Sequence, residues 1–267
     1  MKVEITVLIP SYNPGRYLKK AVKSVFEQTY KHWKLIIVDD ASTDNSLSNI
    51  KNYAKDPRVQ ILRNPINMGQ SKTQNVGLKH VDTPFILMLD SDDWLFPNTL
   101  EILAKEAEKI PDDVALIFGN KKIIHEDKNG KIVKEEIRRF GRGFDEKYEF
   151  ILANIVPYPR LYRTSALRFI GGWPTDDPYE GRYLEDQRMD HRLIEHFKFH
   201  WINELLYNYR RHTNNMSGNK DLMNEMKEWL VKDSLKRWGD HYKPVYKKMG
   251  GWIFVEKLIP KRKNLKK

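Results

Sequence analysis

Residues 85–93 read FILMLDSDD, five apolar residues followed by three carboxylates and a serine. Two earlier stretches have the same form: ITVLIP at 5–10 leads into SYN, and LIIV at 35–38 leads into Asp39-Asp40. Apolar runs without alternation are typical of strands covered on both faces of a parallel sheet. Ligands of such sheets bind beyond the carboxyl ends of the strands. The polar residues after these three runs therefore predict one shared site.

Helical patterns separate these strands along the first 120 residues. Helices are predicted at 16–28, 42–54, 71–79 and 97–109, and further strands at 59–62 and 114–118. Strands that alternate with helices imply a parallel sheet with right-handed crossovers. The sequence therefore predicts an α/β fold in which a Rossmann-like, mostly parallel sheet is flanked by helices.

Beyond residue 120 the alternation loosens. A hairpin is predicted around Asn129-Gly130, and the stretch 156–178, rich in Pro, Gly and aromatic residues, is interpreted as irregular binding loops. Helices are predicted at 145–153, 185–197 and 221–238, and a strand at 205–211. The tail mixes apolar residues at 252–259 with lysines and arginines, which leaves two interpretations open. It is either a membrane-surface helix or, as the sequence slightly favours, a helix packed on the domain with a solvated basic end.

Composition narrows the class of protein. Of the 267 residues, 40% are apolar and 31% charged, values that describe a soluble globular chain, and no apolar run approaches the ~20 residues of a membrane span. The net charge of +11 implies an anionic partner, which could be nucleic acid, anionic lipid or nucleotide phosphate. The chain has no cysteine, which excludes disulfides, thiolate zinc sites and a cysteine nucleophile.

Asp90 and Asp92 lie two residues apart where a strand ends, so their side chains share a face of an extended chain. Such a pair suits a Mg²⁺ or Mn²⁺ ion that takes its other ligands from a diphosphate. The same residues also suit a turn and cap before the helix at Pro97. Position alone does not separate the two interpretations.

Two further carboxylate pairs also have both a structural and a functional interpretation. Asp39-Asp40 either cap a helix or accept a hydrogen bond from a nucleobase, and the cap is the favoured interpretation for the pair alone. Glu185-Asp186 either complement a helix dipole or supply a general base for an attacking hydroxyl. A base must be ionised, and the three nearby arginines at 182, 188 and 192 favour that state.

Six segments in order carry a resemblance to a known family. They are IPSYN at 9–13, VDDASTD at 38–44, NMG at 67–69 with Asn75 and Gly77, LDSDD at 89–93, GGW at 171–173 before Glu185-Asp186, and YRRH at 209–212. Together they resemble inverting glycosyltransferases of family 2, which have the GT-A fold, over about residues 1–217. The resemblance implies a nucleotide-sugar-binding half at 1–120, an acceptor-binding and catalytic-base half of the same domain at 121–217, and a helical, basic extension at 218–267.

The resemblance also implies a site for a nucleotide-diphospho-sugar donor. Asp40 would accept from the uracil N3–H, Asp90 would contact the ribose, and Asp92 would bind Mn²⁺ or Mg²⁺ on the diphosphate. The other donor-binding candidates are Pro10, Tyr12, Asn13, Lys72, Asn75, Ser91, Arg211, His212 and Ser217, the last three on a loop that closes over the diphosphate. Where the family often has Arg, this chain has Gln74, and Lys72 is the nearby cation.

Catalysis is assigned by the same resemblance. Asp186 would be the base that takes the proton of the acceptor hydroxyl, and Glu185 would support the acceptor. Trp173, next to two glycines, is the aromatic residue expected to stack on an acceptor sugar. A single displacement of the nucleoside diphosphate would invert the anomeric centre.

The sequence therefore predicts a metal-dependent inverting glycosyltransferase, with a UDP-sugar as donor and a saccharide or lipid-linked acceptor, in surface polysaccharide or glycolipid synthesis. Two alternatives stay open: a catalytically inactive relative, and a basic protein that binds anionic lipid or nucleic acid. No nucleic-acid partner is expected, because the cations are spread along the chain without a known binding motif. The expected location is the cytoplasm, with contact at the inner face of the membrane through the basic tail left open.

Overall fold

The structure, a computed structural model, describes residues 3–212 and 219–261. Within these ranges nine strands form one mixed sheet in the order β3-β2-β1-β4-β8-β6-β9-β5, with β7 paired to β6. The strands are β1 (Ile5–Ser11), β2 (Trp33–Asp39), β3 (Val59–Arg63), β4 (Phe85–Met88), β5 (Trp94–Leu95), β6 (Val114–Glu126), β7 (Ile132–Arg138), β8 (Tyr158–Arg163) and β9 (Lys198–Arg211). The predicted α/β fold is confirmed.

Helices cover this sheet. They are α1 (Tyr17–Phe26), α2 (Gln70–Leu78), α3 (Thr99–Ala107), α4 (Lys147–Ala153), α5 (Thr164–Phe169), α6 (Glu185–Leu193) and α7 (Lys220–Arg237). Every residue of β1 is buried, and its side chains alternate between two cores. Val7 and Ile9 lie in the core with α1 and α3, whereas Leu8 lies in the core with α2. Burial on both faces explains why the strands read as continuous apolar runs.

The sheet divides into a parallel and a mixed part. Strands β3, β2, β1 and β4 are all parallel, as the alternation of strands and helices predicts. Strand β8 then runs antiparallel between β4 and β6, and β6 is parallel to β9. The predicted boundary at residue 120 falls inside β6, so one sheet spans both halves.

Three local predictions are wrong. Residues 42–54 form two short 3-10 turns, Ser48–Ile50 and Tyr53–Lys55, in place of one helix. Side chains there bond to nearby backbone and compete with helix formation; Ser48 Oγ, for example, donates to Asn45 O at 2.7 Å. Residues 156–178 include β8 and α5, so they are not irregular throughout.

The third correction concerns the tail. After α7 the chain forms a hairpin of β10 (Tyr242–Met249) and β11 (Trp252–Pro260), where either interpretation of the sequence had a helix. Gly250 and Gly251 both have positive φ (57° and 87°), as a tight hairpin turn requires. The side chain of Asn154 accepts from Val255 N and donates to Val255 O, which joins β11 to the domain.

No helix in the described part of the chain is long and apolar enough to cross a membrane.

Gly77 tests the contact between α2 and the sheet. A Cβ atom at this position would meet the side chain of Leu8 and lie 3.2 Å from Val38 Cγ2. Alanine is normally favoured over glycine inside a helix by about 1 kcal/mol. We nevertheless expect Gly77→Ala to lower the free energy of unfolding by about 1–3 kcal/mol, because the core there is already filled. Denaturant unfolding measures the change.

Lys19→Ala, at an exposed position of α1, is the control for this measurement and should change stability by less than about 0.5 kcal/mol. A Gly77→Ala protein as stable as the wild type would contradict the close packing of α2 on β1.

Candidate active site

The polar residues that follow β1, β2 and β4 meet at one edge of the sheet. In the parallel register Ser11 lies opposite Asp39, and Leu8 lies opposite Met88. The chain therefore leaves all three strands at the same edge, immediately before Tyr12, Asp40 and the dipeptide Leu89-Asp90. The predicted convergence of the three segments is confirmed.

The segment after β1 builds a loop against the segment after β2. Pro10 is buried within β1, and Tyr12 is 52% exposed. Asn13 has a left-handed conformation (φ 48°), and its Oδ1 accepts from Thr43 N at 2.8 Å and Asp44 N at 3.3 Å. Asn13 thus shapes this loop, and its contact with a donor stays a prediction.

Asp40 is 4% exposed and fixes a neighbouring loop. Its Oδ1 accepts from Asn64 Nδ2 and Met68 N, each at 2.8 Å, and its Oδ2 accepts from Gly69 N at 2.9 Å. Three donors therefore hold the carboxylate in one orientation beside the entrance to α2. The predicted contact with a uracil N–H is not tested by these bonds.

Trp173 and the α2 residues that were predicted to contact substrates make contacts with other residues of the protein. Trp173 is 2% exposed and packs against Tyr162, so the prediction that its ring stacks on an acceptor is wrong. The amide of Asn75 donates to Trp173 O at 2.8 Å and accepts from Trp173 N at 2.7 Å, which positions this loop. Lys72 forms an ion pair with Glu180.

Asp92 lies beside His212 at the end of β9. The distance from Asp92 Oδ2 to His212 Nε2 is 3.0 Å, and the His212 ring packs on Tyr17 with 4.8 Å between centroids. Arg210 donates to the backbone oxygen of Asp92 at 2.7 Å and forms an ion pair with Glu126.

The remaining donor-binding candidates are placed as follows. Arg211 ends β9 and is exposed, Ser91 lies in the turn after β4, and Ser217 lies outside the described residues.

The donors at Asp92 and His212 suit a divalent ion that is held mainly by substrate. Among residues 3–212 and 219–261 no group of three His, Cys, Asp or Glu could hold a metal ion. One carboxylate and one imidazole nevertheless lie together here, and both are ordinary ligands of Mn²⁺. The chemistry of this pair fits an ion whose other ligands come from a diphosphate.

Arg160 on β8 links the two halves of the site. Its guanidinium is 2% exposed. It donates to Asp186 Oδ2 at 2.6 Å and to Asp90 Oδ1 at 3.3 Å. One buried cation thus joins the carboxylate after β4 to the carboxylate at the start of α6. Arg160 lies in the stretch interpreted as irregular loops, and no motif marks it.

Glu185 and Asp186 are adjacent but have different surroundings. Arg160 contacts Asp186, whose other oxygen accepts from Gln187 N at 2.7 Å. Glu185 is 8% exposed, and burial followed by the neighbouring Asp186 raises the pKa of its carboxyl well above the usual value. Burial thus favours the protonated form of Glu185, which can donate a hydrogen bond.

A second layer supports the start of α6. Tyr162 donates to Asp190 Oδ1 at 2.8 Å, and burial raises the pKa of Asp190 to about 8. His191 lies 2.8 Å from Ser234 Oγ on α7, and burial lowers the pKa of its imidazole to about 3. Both groups are uncharged at neutral pH, so they position α6 without adding charge behind Asp186.

Lys121 on β6 is a further residue that sequence reasoning missed. Its Nζ lies 3.8 Å from the ring centre of Tyr158 and 4.4 Å from that of Tyr209. Burial, partly offset by Asp93, lowers the pKa of its amine to about 7. The GNKK context of β6 resembles an ordinary basic strand end, so the sequence carries no signal for this position.

Residues 6–171 match the sequence profile described as glycosyl transferase family 2, which is more than half of the 267 residues. The chain belongs to this family. This family 2 chain is 30% identical over 191 residues to glycosyltransferase GlyA of Streptococcus pneumoniae serotype 4, covering 70% of the chain and 26% of that protein. It is also 31% identical over 121 residues to the Escherichia coli UDP-Glc:alpha-D-GlcNAc-diphosphoundecaprenol beta-1,3-glucosyltransferase WfgD, covering 45% of the chain and 47% of that protein. The chain thus spans between about a quarter and about half the length of these relatives.

Solved structures share the fold of this family 2 chain. S. aureus TarS 1–349 in complex with UDP-GlcNAc has a TM-score of 0.67 at 20% identity, covering 87% of this chain and 67% of that one. The mannosyltransferase PcManGT from Pyrobaculum calidifontis, in complex with GDP-Man and Mn²⁺, has a TM-score of 0.60 at 14% identity, covering 91% and 66%. These likenesses confirm the predicted GT-A fold.

The raised pKa of Asp190 predicts a dependence of stability on pH in this family 2 chain. Between about pH 4 and pH 8 the folded chain keeps this proton while the unfolded chain releases it, so this group lowers stability as the pH rises. Asp190→Asn keeps an acceptor for Tyr162 and cannot titrate. We expect the stability of the variant relative to the wild type to increase between pH 5 and pH 8 in urea unfolding.

Asp112→Asn, at an exposed position, is the control and should show no such trend. If the wild type and Asp190→Asn had parallel stability profiles over this range, a protonated Asp190 would be ruled out.

Proposed function

We propose that this chain is a metal-dependent inverting glycosyltransferase that moves a sugar from a nucleotide-diphosphate donor to an acceptor hydroxyl. The observation that carries the proposal is the Arg160 bridge. It brings Asp90, at the edge where nucleotides bind in α/β sheets, next to Asp186, the carboxylate suited to activating a hydroxyl. Family membership supports the same reaction class.

Asp186 is the proposed general base. Arg160 and the N–H of Gln187 hold its two oxygens, so the carboxylate has one orientation toward an incoming hydroxyl. Glu185 is not the assigned base, because burial raises the pKa of its carboxyl and favours the protonated form. We assign to Glu185 a hydrogen bond to a hydroxyl or ring oxygen of the acceptor. The adjacent carboxyls thus divide into one that accepts a proton and one that positions the sugar.

The leaving diphosphate would lie on the other side of the site. Asp92 and His212 would hold Mn²⁺ or Mg²⁺, which when bound neutralises charge on the departing diphosphate. Arg211, exposed at the end of β9, is the proposed cation from the chain itself. With base and leaving group on opposite sides of the sugar, one displacement inverts the anomeric centre.

The donor and acceptor classes are proposed from relatives. The name of WfgD includes UDP-Glc, and one TarS structure contains UDP-GlcNAc; both support UDP as the nucleotide of the donor. The PcManGT structure contains GDP-Man, so GDP is the nucleotide to compare with UDP. WfgD names a diphosphoundecaprenol acceptor, and another relative is the hyaluronan synthase of Pasteurella multocida, 28% identical over 242 residues. A saccharide or lipid-linked acceptor of surface polysaccharide or glycolipid synthesis fits these names.

A lipid-linked acceptor would bring the enzyme to the inner face of the membrane, where lysines of the β10–β11 hairpin would contact anionic lipid.

Nucleotide binding provides the first test. We expect UDP with Mn²⁺ to raise the melting midpoint by several degrees, since a ligand at about 100 times its Kd adds about 2.7 kcal/mol. Asp92→Ala should lose most of this shift. GDP, dTDP and CDP serve as comparison nucleotides. If none of the four raises the midpoint at millimolar concentration, the donor site is contradicted.

Turnover provides the second test. We expect Asp186→Asn to lower transfer or donor hydrolysis by about 10²–10⁴-fold, the usual loss for a general base, while it keeps the shift with UDP and Mn²⁺. The exposed Asp112→Asn controls for the loss of one carboxylate elsewhere and should retain full turnover. Wild-type turnover in Asp186→Asn would rule out the proposed base.

A further inference from the structure

Lys121 is a partly buried cation in the candidate site that is paired with aromatic rings in place of a carboxylate. Its amine lies against Tyr158 and Tyr209, at 3.8 Å and 4.4 Å from the ring centres. Within residues 3–212 and 219–261 no carboxylate oxygen lies within 4.0 Å of this amine. A desolvated ammonium usually has an anionic partner, because contacts with rings recover only part of its lost hydration.

Two other cations of the site, Arg160 and Arg210, differ from Lys121 in this respect. Arg160 has Asp90 and Asp186 as partners, and Arg210 has Glu126. Their donors are used within the protein, whereas the amine of Lys121 can receive an anion from a substrate.

Arg160 connects Lys121 to the saccharide side of the site. Arg160 lies over the same Tyr158 ring at 4.4 Å, and Arg160 is bound to the proposed base Asp186. The charged groups that face the amine are Asp93 after β4, Arg160 on β8, Asp186 on α6 and Arg138 on β7. An anion here would lie near the base, whereas the diphosphate is assigned to Asp92 and His212.

An anion next to this amine would restore the charge that burial disfavours. Burial lowers the pKa of Lys121 to about 7, so the free amine is only partly protonated at neutral pH. A negative group at hydrogen-bonding distance would stabilise the ammonium and gain a charge-assisted hydrogen bond. The ring of Tyr209, which is only partly buried, would pack on the apolar face of a sugar, whereas the buried Tyr158 positions the amine.

We propose that Lys121, positioned by the buried Tyr158, forms with Tyr209 a subsite for an anionic oxygen group, a carboxylate or a phosphate, carried by the acceptor saccharide. This inference rests on the proposed function and adds to it the charge class of the acceptor. The subsite makes Lys121 a determinant of specificity, separate from the base and from the residues assigned to the diphosphate.

The test measures binding of three glycosides that differ in one group. The protein, with UDP and Mn²⁺, is titrated by calorimetry with 4-nitrophenyl glucoside, the matching glucuronide and the matching glucoside 6-phosphate. We expect the wild type to bind the glucuronide or the phosphate at least about tenfold more tightly than the neutral glucoside. The better of the two anions identifies the source of the charge.

Three variants separate the charge of Lys121 from other effects. Lys121→Met should abolish the preference for the anion, and Lys121→Arg should keep most of it. Lys122→Met is the matched control, because Lys122 points to the opposite face of β6 and pairs with Glu135 at 2.6 Å, so it should keep the preference. Lys121→Met should fold normally, since an apolar side chain replaces a desolvated amine.

The outcomes distinguish this inference from the proposed function. If the wild type shows no preference for either anion, including no binding of either at about 10 mM, or if Lys121→Met keeps the preference, the subsite is overturned. The shift with UDP and Mn²⁺ reports on the donor site independently, so its presence in such a protein would leave the proposed function standing. Absence of that shift in the wild type would contradict the proposed function itself.

Discussion

The buried guanidinium of Arg160 is the constraint on which the site depends. Taking a charge out of water costs several kcal/mol unless well-placed partners replace the hydration. Asp90 and Asp186 are these partners, and they come from a strand end and a helix start that are far apart in sequence. Because the cation needs both carboxylates, the edge of the parallel sheet and the first turn of α6 are held at a fixed separation. The distance between the proposed donor and acceptor sides therefore depends on the ion pairs of Arg160 with Asp90 and Asp186.

Strand and helix geometry extend this link into the core. Arg160 and Tyr162 lie two residues apart on β8, and their partners Asp186 and Asp190 lie four residues apart on α6. Two residues of strand rise by about 6.6 Å and four residues of helix by about 6 Å, so the two contacts can form side by side. The outer contact is charged and reaches the site, whereas the inner contact is neutral and buried. Together they fix the position and the rotation of α6.

Burial also explains how adjacent carboxyls take different roles. Burial and the neighbouring Asp186 raise the pKa of Glu185 and favour its protonated form, while Asp186 has a cation and a backbone N–H as donors. The same reasoning separates Lys121 from Arg160 and Arg210, since its amine lies against two tyrosine rings and has no carboxylate oxygen within 4.0 Å among the described residues. Local charge at this site is therefore set by which partners the fold supplies, and a residue's type alone does not determine it.

Local sequence pattern is enough to predict the parallel half of the sheet and the edge where its polar segments meet. Each buried strand is a continuous apolar run, and the polar residues that follow it in the sequence must lie at the strand's carboxyl end. The positions of Asp40, Asp90 and Asp92 at this edge could therefore be predicted from local pattern alone. Tertiary structure alone decided the rest: the antiparallel strand that carries Arg160, the burial of Trp173, and the hairpin in place of a C-terminal helix. The physical reason is that a buried ion pair or an aromatic ring in the core depends on partners that are distant along the chain. No local spacing records such partners; they are defined only when the sheet and helices pack.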